Sequence, residues 1–266
     1  MIDGRKFGPW ALITGASSGI GREFARQIAA SAINVALVAR REALLREVGR
    51  ECSEQFGVAH RVIAADLSKE GFITGLAEAT GDLDIGLVIS NAGGANPGRF
   101  LDKDSDELAM TLRLGALAHA EIARHFGRAL AERRRGGLVF VGAMGAENGA
   151  PFMAHDGGAK AYVRSLGLAL HAELKPCGVH VTDVMPGPTD TPVLARFGLD
   201  PKSMSIRPLQ AGAVVSEGLK ALSANQPELI PGRINRIMRA LVPASVTRSL
   251  MMRMFENMPA IANPGS

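Results

Sequence analysis

Short aliphatic runs alternate along this chain with longer segments of helical period, and that alternation leaves few folds open. The runs are WALIT (10–14), INVALVA (33–39), HRVIAA (60–65), IGLVIS (85–90), GLVFVG (137–142) and VHVTDVM (179–185). Strands separated by helices pair in parallel, because a parallel neighbour is reached only through a long crossover. Strands apolar at nearly every position are covered on both faces, and right-handed crossovers then place helices on both sides of one doubly wound sheet. No internal repeat interrupts the pattern, so the reading is one α/β domain spanning 1–266.

Composition supports this and removes other classes. Hydrophobic residues at 47% and charged residues at 21% furnish a sizeable core, which excludes disordered and fibrous chains. Cys52 and Cys177 are too few for a disulfide framework, which points to a reducing, cytoplasmic compartment. No apolar run of about 18 residues predicts a transmembrane segment, and MIDGRKFGPW lacks the apolar stretch of a signal peptide. The net charge of +4 is dispersed and aromatics are 5%, poor material for base stacking, so nucleic acid is not an expected partner. Arg133, Arg134 and Arg135, the densest basic run, end a helical stretch where cations suit the dipole.

The first strand runs into Thr14-Gly15-Ala16-Ser17-Ser18-Gly19-Ile20-Gly21, followed by the helix-like REFARQIAAS. Small residues between strand and helix let the backbone approach a pyrophosphate, whose charge the free amides and dipole of the helix N-terminus favour. The second strand ends at Ala39-Arg40-Arg41, with no acidic residue to grip the adenosine ribose hydroxyls of NAD. Two guanidiniums there suit a ribose 2′-phosphate, so Arg40 and Arg41 favour NADP(H) over NAD(H). Asp66-Leu67 follows the third strand, where a carboxylate can accept from the adenine amino group, and Ser90-Asn91-Ala92-Gly93 ends the fourth.

TGASSGIG, Asp66-Leu67, the NAG of 91–93, Lys160 and the PGPTDT of 186–191 together resemble the short-chain dehydrogenase/reductase family, from about Pro9 to Thr191. The resemblance implies a Rossmann-type doubly wound parallel sheet of about seven strands and a homodimer or homotetramer. It places Gly15, Ser18, Ile20, Arg40, Asp66, Leu67, Asn91, Ala92, Gly93, Lys160, Pro186, Gly187, Thr189 and Thr191 along the dinucleotide, with Ser17, Gly19 and Arg41 beside them.

The family's catalytic group is an Asn, a Ser, a Tyr and a Lys, and three of those four positions are changed here. In His155-Asp156-Gly157-Gly158-Ala159-Lys160 the residue four before the Lys, where the family has Tyr, is Asp156. Counting back to the Ser position gives Ala143, and the expected Asn aligns with Arg113. Tyr162, the only Tyr, stands about 200° round the helix from Lys160 and is expected to face away. Carbonyl reduction needs a donor for the developing alkoxide, and Ala143 has none to offer. Lys160 would lower the Asp156 pKa and burial would raise it, and an anion is expected at neutral pH. A protonated imine already carries its activating proton, so Asp156 suits hydride transfer to C=N as an electrostatic partner or proton shuttle, with Lys160 anchoring the ribose.

Three other readings stand beside it: an Asp156–Lys160 helix salt bridge without catalysis, a non-redox isomerase or lyase with Asp156 as base, and a cofactor-binding pseudoenzyme. Arg113, Ala143 and Met144 are expected to line the substrate pocket, where Arg113 either binds a substrate anion or locks Asp156 in an ion pair. Residues 187–207 read as a substrate loop. Residues 231–266, ending in SLMMRMFENM, read as a lid, an oligomer contact or a peripheral membrane segment, and their apolar character suggests a hydrophobic small-molecule substrate. His155 adjoins Asp156 as an alternative partner. His119, His125 and His171 fall on helices without metal-ligand company, and no metal site is expected.

Overall fold

The computed structural model describes residues 1–196, 201 and 207–256. Seven parallel strands form the main sheet: β1 (Trp10–Thr14), β2 (Asn34–Ala39), β3 (His60–Ala64), β4 (Ile85–Ser90), β5 (Gly136–Val141), β6 (Val179–Val184) and β9 (Glu228–Leu229). Their order is β3-β2-β1-β4-β5-β6-β9, so the chain reverses direction of growth between β3 and β4 and leaves a crevice beside β1. β7 (Thr189–Asp190) and β8 (Leu209–Gln210) pair separately.

Helices cover both faces. α1 (Gly4–Phe7) precedes the sheet, and α2 (Gly19–Ala29), α3 (Glu42–Phe56), α4 (Phe72–Thr80), α5 (Ser105–Leu112), α6 (Ala118–Glu132) and α7 (Ala154–Leu174) alternate with its strands. After β6 come α8 (Pro192–Arg196), α9 (Ala211–Ser223), α10 (Arg233–Leu241) and α11 (Ala244–Glu256). The strands send alternate side chains to opposite faces, which splits the core in two. Ala11, Ile13, Val35, Leu37, Leu87 and Ile89 meet α2, α3 and α9, while Leu12, Ala36, Val38, Val88, Leu138 and Phe140 meet α6 and α7.

All six strands read from the sequence are present within one residue at either end. The seventh, β9, escapes sequence reading because two residues carry no periodicity; it is recruited by β6 through Asp183–Glu228 and Val184–Leu229 pairing. Of the expected substrate loop, 197–200 and 202–206 lie outside the described residues, as do 257–266 of the C-terminal extension.

Candidate active site

Between β1 and α2 the chain turns where φ is +67° at Gly15 and +55° at Gly19, a region that side chains disfavour. Gly21 has a different reason to be glycine: a Cβ there would lie 2.3 Å from the Gly15 carbonyl oxygen. The turn can therefore close only if α2 packs directly on the end of β1. Ser18 begins α2 without capping it through its side chain, so the first-turn amides face outward with no internal acceptor from that residue. This is the cradle an anionic pyrophosphate needs.

Three further segments converge on the turn. Thr14 Oγ1 donates to the Ile89 carbonyl at 3.2 Å and accepts from the amides of Asn91 and Ala92, each at 2.9 Å, locking the β1 and β4 ends together. Asn91 Nδ2 donates to the Thr14 carbonyl at 2.9 Å, beneath Gly15 and Gly21. Thr191 packs against Gly19, at 3.2 Å from where its Cβ would stand. Arg41 Nη2 donates to Ser17 Oγ at 2.9 Å and Ser18 Oγ at 2.8 Å, bringing a guanidinium from the end of β2 onto the phosphate turn.

Arg40 is exposed at the same end, close enough to Asp66 for its charge to act there. Burial works to raise the Asp66 carboxyl, but the hydroxyl and amide of Ser68, donating at 2.7 Å and 3.0 Å, hold it below the ordinary carboxylate range. Leu67 is buried under it. Ile20 is partly buried against the core, while Thr189 Oγ1 donates to the Gly187 carbonyl at 2.9 Å and shapes the turn after Pro186.

At the other end of the crevice α7 presents Asp156 from its first turn and Lys160 one turn on. Lys160 is half-buried, and its Nζ donates to the Val141 carbonyl at 2.7 Å, with Gly93 just beside it. Burial pulls its pKa down to about 8, against the opposing charges of Asp183 and Asp156. Asp156 is buried, 6% exposed, and Oδ1 accepts from the Asn96 amide at 3.2 Å. Burial raises its carboxyl above the usual range, opposed by the Asn96 amide and the Lys103 charge. Of the two opposed influences weighed from the sequence, burial raising and Lys160 lowering, burial sets the direction. Among the described residues no ion pair joins Asp156 to Lys160, whose Nζ donates to the Val141 carbonyl instead, so the alternative of a helix salt bridge is not met.

Ala143 and Met144 follow β5 on the turn facing this end, with Met144 N donating to the Pro186 carbonyl at 3.0 Å. Arg113 does not join Asp156. It opens a π-helical turn (Arg113–Leu117) between α5 and α6, is exposed, and donates through Nη2 to Glu70 Oε1 at 2.7 Å. Neither expected role for it is met by that contact: the charge is satisfied on the outer surface. His155 Nε2 meets the Leu108 carbonyl at 2.7 Å, and Tyr162 is 44% exposed, facing away as expected. His125 is exposed, His171 Nδ1 meets the Val181 carbonyl at 2.8 Å, and His119 is buried with Nδ1 on Ser90 Oγ at 2.7 Å. Among the described residues no group of His, Cys, Asp or Glu could hold a metal ion.

The C-terminal helices lean on the turn after Ala143. Arg239 pairs with Glu147, Arg248 Nη1 donates to the Asn148 carbonyl at 2.9 Å, and Phe255 packs with Phe152 and Met153. Asn96, Lys103 and Asp183 were not read from the sequence as site residues. Asp183 alone left a signal there, a carboxylate inside the strand run VHVTDVM.

The sequence profile of the family described as short chain dehydrogenase matches residues 9–201. The very-long-chain 3-oxoacyl-CoA reductase of Neurospora crassa is 36% identical over 181 residues, 66% of this chain and 54% of that protein. The chain thus spans about half the length of the fungal reductases it matches. The 7beta-hydroxysteroid dehydrogenase of Collinsella aerofaciens is 31% identical over 189 residues, 71% of this chain and 72% of that protein. Among solved structures, a 7beta-hydroxysteroid dehydrogenase superposes with a TM-score of 0.87 at 28% identity, covering 97% of this chain and 100% of its own. A short-chain dehydrogenase from Sphingobium yanoikuyae in complex with NADPH gives 0.80 at 27% identity, over 91% and 94%.

Proposed function

The chain belongs to the short-chain dehydrogenase family, and from that premise we propose that it is an NADP(H)-dependent oxidoreductase whose proton chemistry runs through Asp156. The observation that carries this reading is the buried Asp156 carboxyl, one helical turn ahead of Lys160 on α7. The residues fit the cofactor: the Gly15–Gly21 turn receives the pyrophosphate, Arg41 with Arg40 the ribose 2′-phosphate, Asp66 and Leu67 the adenine, and Asn91–Gly93 with Lys160 the nicotinamide ribose. Pro186, Gly187, Thr189 and Thr191 close the nicotinamide side. The bound cofactor supplies or accepts the hydride.

Lys160 holds the ribose with donors not engaged by Val141. Asp156 moves a proton at its carboxyl, held in place by the Asn96 amide. Ala143 presents no hydroxyl to a developing alkoxide, which favours a C=N electrophile carrying its own proton. A second reading, C=O and CH–OH chemistry on a bulky apolar substrate, is favoured by the upward push on the Asp156 carboxyl and by the reactions named for the relatives. Met144, Phe152, Met153 and Phe255 offer an apolar wall for either substrate, and the exposed face of α5 to α7, with Leu117 and Tyr162, is the surface for a homo-oligomer.

Cofactor oxidation with product identification, across matched cyclic imines and ketones, tests the proposal with native protein and Asp156→Asn. Imine turnover that collapses in the variant supports the first reading, and ketone turnover with the same loss supports the second. Product formation without any change in NADPH absorbance would overturn both in favour of an isomerase or lyase, and NADPH binding without turnover would leave a pseudoenzyme.

A further inference from the structure

Asp183 lies in β6 at 0% exposure, and among the described residues neither carboxylate oxygen has a well-formed hydrogen bond, the Gly142 amide being a donor close enough to act on it. Its carboxylate rests over Gly142, with Oδ1 3.0 Å from where a Cβ on that residue would stand. The Gly142 amide is already donated to the Val184 carbonyl at 2.9 Å. Burying an ionisable group without partners costs several kcal/mol, so a native fold that keeps one calls for a reason.

The surroundings narrow that reason to a single cation. Phe140 of β5 stands opposite Asp183 in the sheet, Gly142 just after β5 lies under its carboxylate, and from α7 Gly167 packs so closely that a Cβ there would stand 3.4 Å from the Asp183 Cβ. The charged groups acting on Asp183 are Lys160 and Arg164 from α7 and Glu228 from β9. Arg164 is spent, since Nε and Nη2 donate to Glu228 Oε2 at 3.1 Å and 2.8 Å. Lys160 is left, its Nζ pinned to the residue preceding Gly142.

We propose that Asp183 is a positioning residue, the buried counter-charge that keeps Lys160 an ammonium and holds it at the nicotinamide-ribose end of the crevice. This rests on the reading of Lys160 as the ribose anchor. Burial has pulled Lys160 down to about 8 and pushed Asp183 up to about 7, each opposed by the other's charge, so both are ionised together only in a narrow window around neutral pH. Below that window Asp183 is neutral and above it Lys160 is. Asp156, the other carboxylate near Lys160, acts on the ammonium from the substrate side.

The test is a carbon-13 NMR titration of protein labelled at lysine Cε, with the Lys160 resonance assigned through Lys160→Arg. The Lys160 midpoint is expected to fall by about one unit in Asp183→Asn, and in the native protein its resonance is expected to show a second inflection as Asp183 titrates. An unchanged midpoint, or in a poorly folding variant a native curve of one step, would overturn the proposal. NADPH affinity measured in parallel at pH 7.5 is expected to weaken about tenfold in Asp183→Asn. Native protein that fails to bind NADPH would instead defeat the cofactor reading, while the titration still decides whether Asp183 governs Lys160.

Discussion

Arg41 and Ser18 lie on different crossovers of the sheet, yet the Arg41 guanidinium donates to the Ser18 hydroxyl at 2.8 Å and to Ser17 beside it at 2.9 Å. The contact spans from the end of β2 to the first turn of α2, so one planar cation stands over the Gly15–Gly21 turn, the place proposed above for the phosphates of a dinucleotide. A guanidinium already held at that spot needs little further ordering to bind a phosphate, and its fork geometry suits two oxygens at once.

Arg41→Ala is expected to weaken NADPH binding by about 10- to 100-fold, the loss of about 1.5–3 kcal/mol of charge-assisted hydrogen bonding, while NADH binding changes little. Fluorescence titration with both nucleotides measures this. Equal losses for the two would assign Arg41 to the shared pyrophosphate instead of the 2′-phosphate.

Gly21→Ala is expected to destabilise the fold by about 1–3 kcal/mol and to weaken cofactor binding. The added Cβ would fall 2.3 Å from the Gly15 carbonyl and 2.6 Å from Asn91 Nδ2, forcing α2 away from β1. Gly71→Ala supplies a contrast, since it strains a left-handed residue without any atom within 4 Å. Denaturant unfolding should therefore lower both variants, with cofactor affinity lost only in the first.

Stability should pass through a minimum near neutral pH because of the buried pair. The folded Asp183 carboxyl at about 7, raised from 3.8, binds a proton that the unfolded chain has already released, so stability falls as pH rises from about 4 to 7. The folded Lys160 at about 8, lowered from 10.5, sheds a proton the unfolded chain keeps, so stability returns as pH rises from about 8 toward 10. The acid limb is worth at most about 4 kcal/mol by the shift it reflects. Asp183→Asn should flatten that limb and leave the protein more stable at pH 7, as read by urea unfolding across pH 5–9. A variant with the native slope would show that other groups set it.

Restoring the hydroxyls, with Ala143→Ser and Asp156→Tyr together, is expected to raise ketone reduction by about 10²- to 10⁴-fold over native protein. Steady-state turnover of bulky ketones measures the gain. If the double variant stays at the native rate, a hydroxyl at 143 and a phenol at 156 are not what limits carbonyl reduction in this fold.

The alternation of strand and helix, read from hydrophobic period alone, determined the sheet and its six long strands, and the glycine turn and the two arginines after the second strand were as plain in the sequence. These were legible because each depends on neighbours within a few residues along the chain. Absence of a hydroxyl at 143 and of a phenol at 156 was equally plain. Tertiary structure alone decided the surroundings of Asp156, whose carboxyl is raised by burial against the Asn96 amide and the Lys103 charge. Arg113 went to Glu70, 43 residues away along the chain, and β6 pairing with β5 set Asp183 opposite Phe140, within reach of the Lys160 charge. Charges interact through space in a medium whose polarity the fold itself creates, so neither their partners nor their protonation can be read from spacing along the sequence.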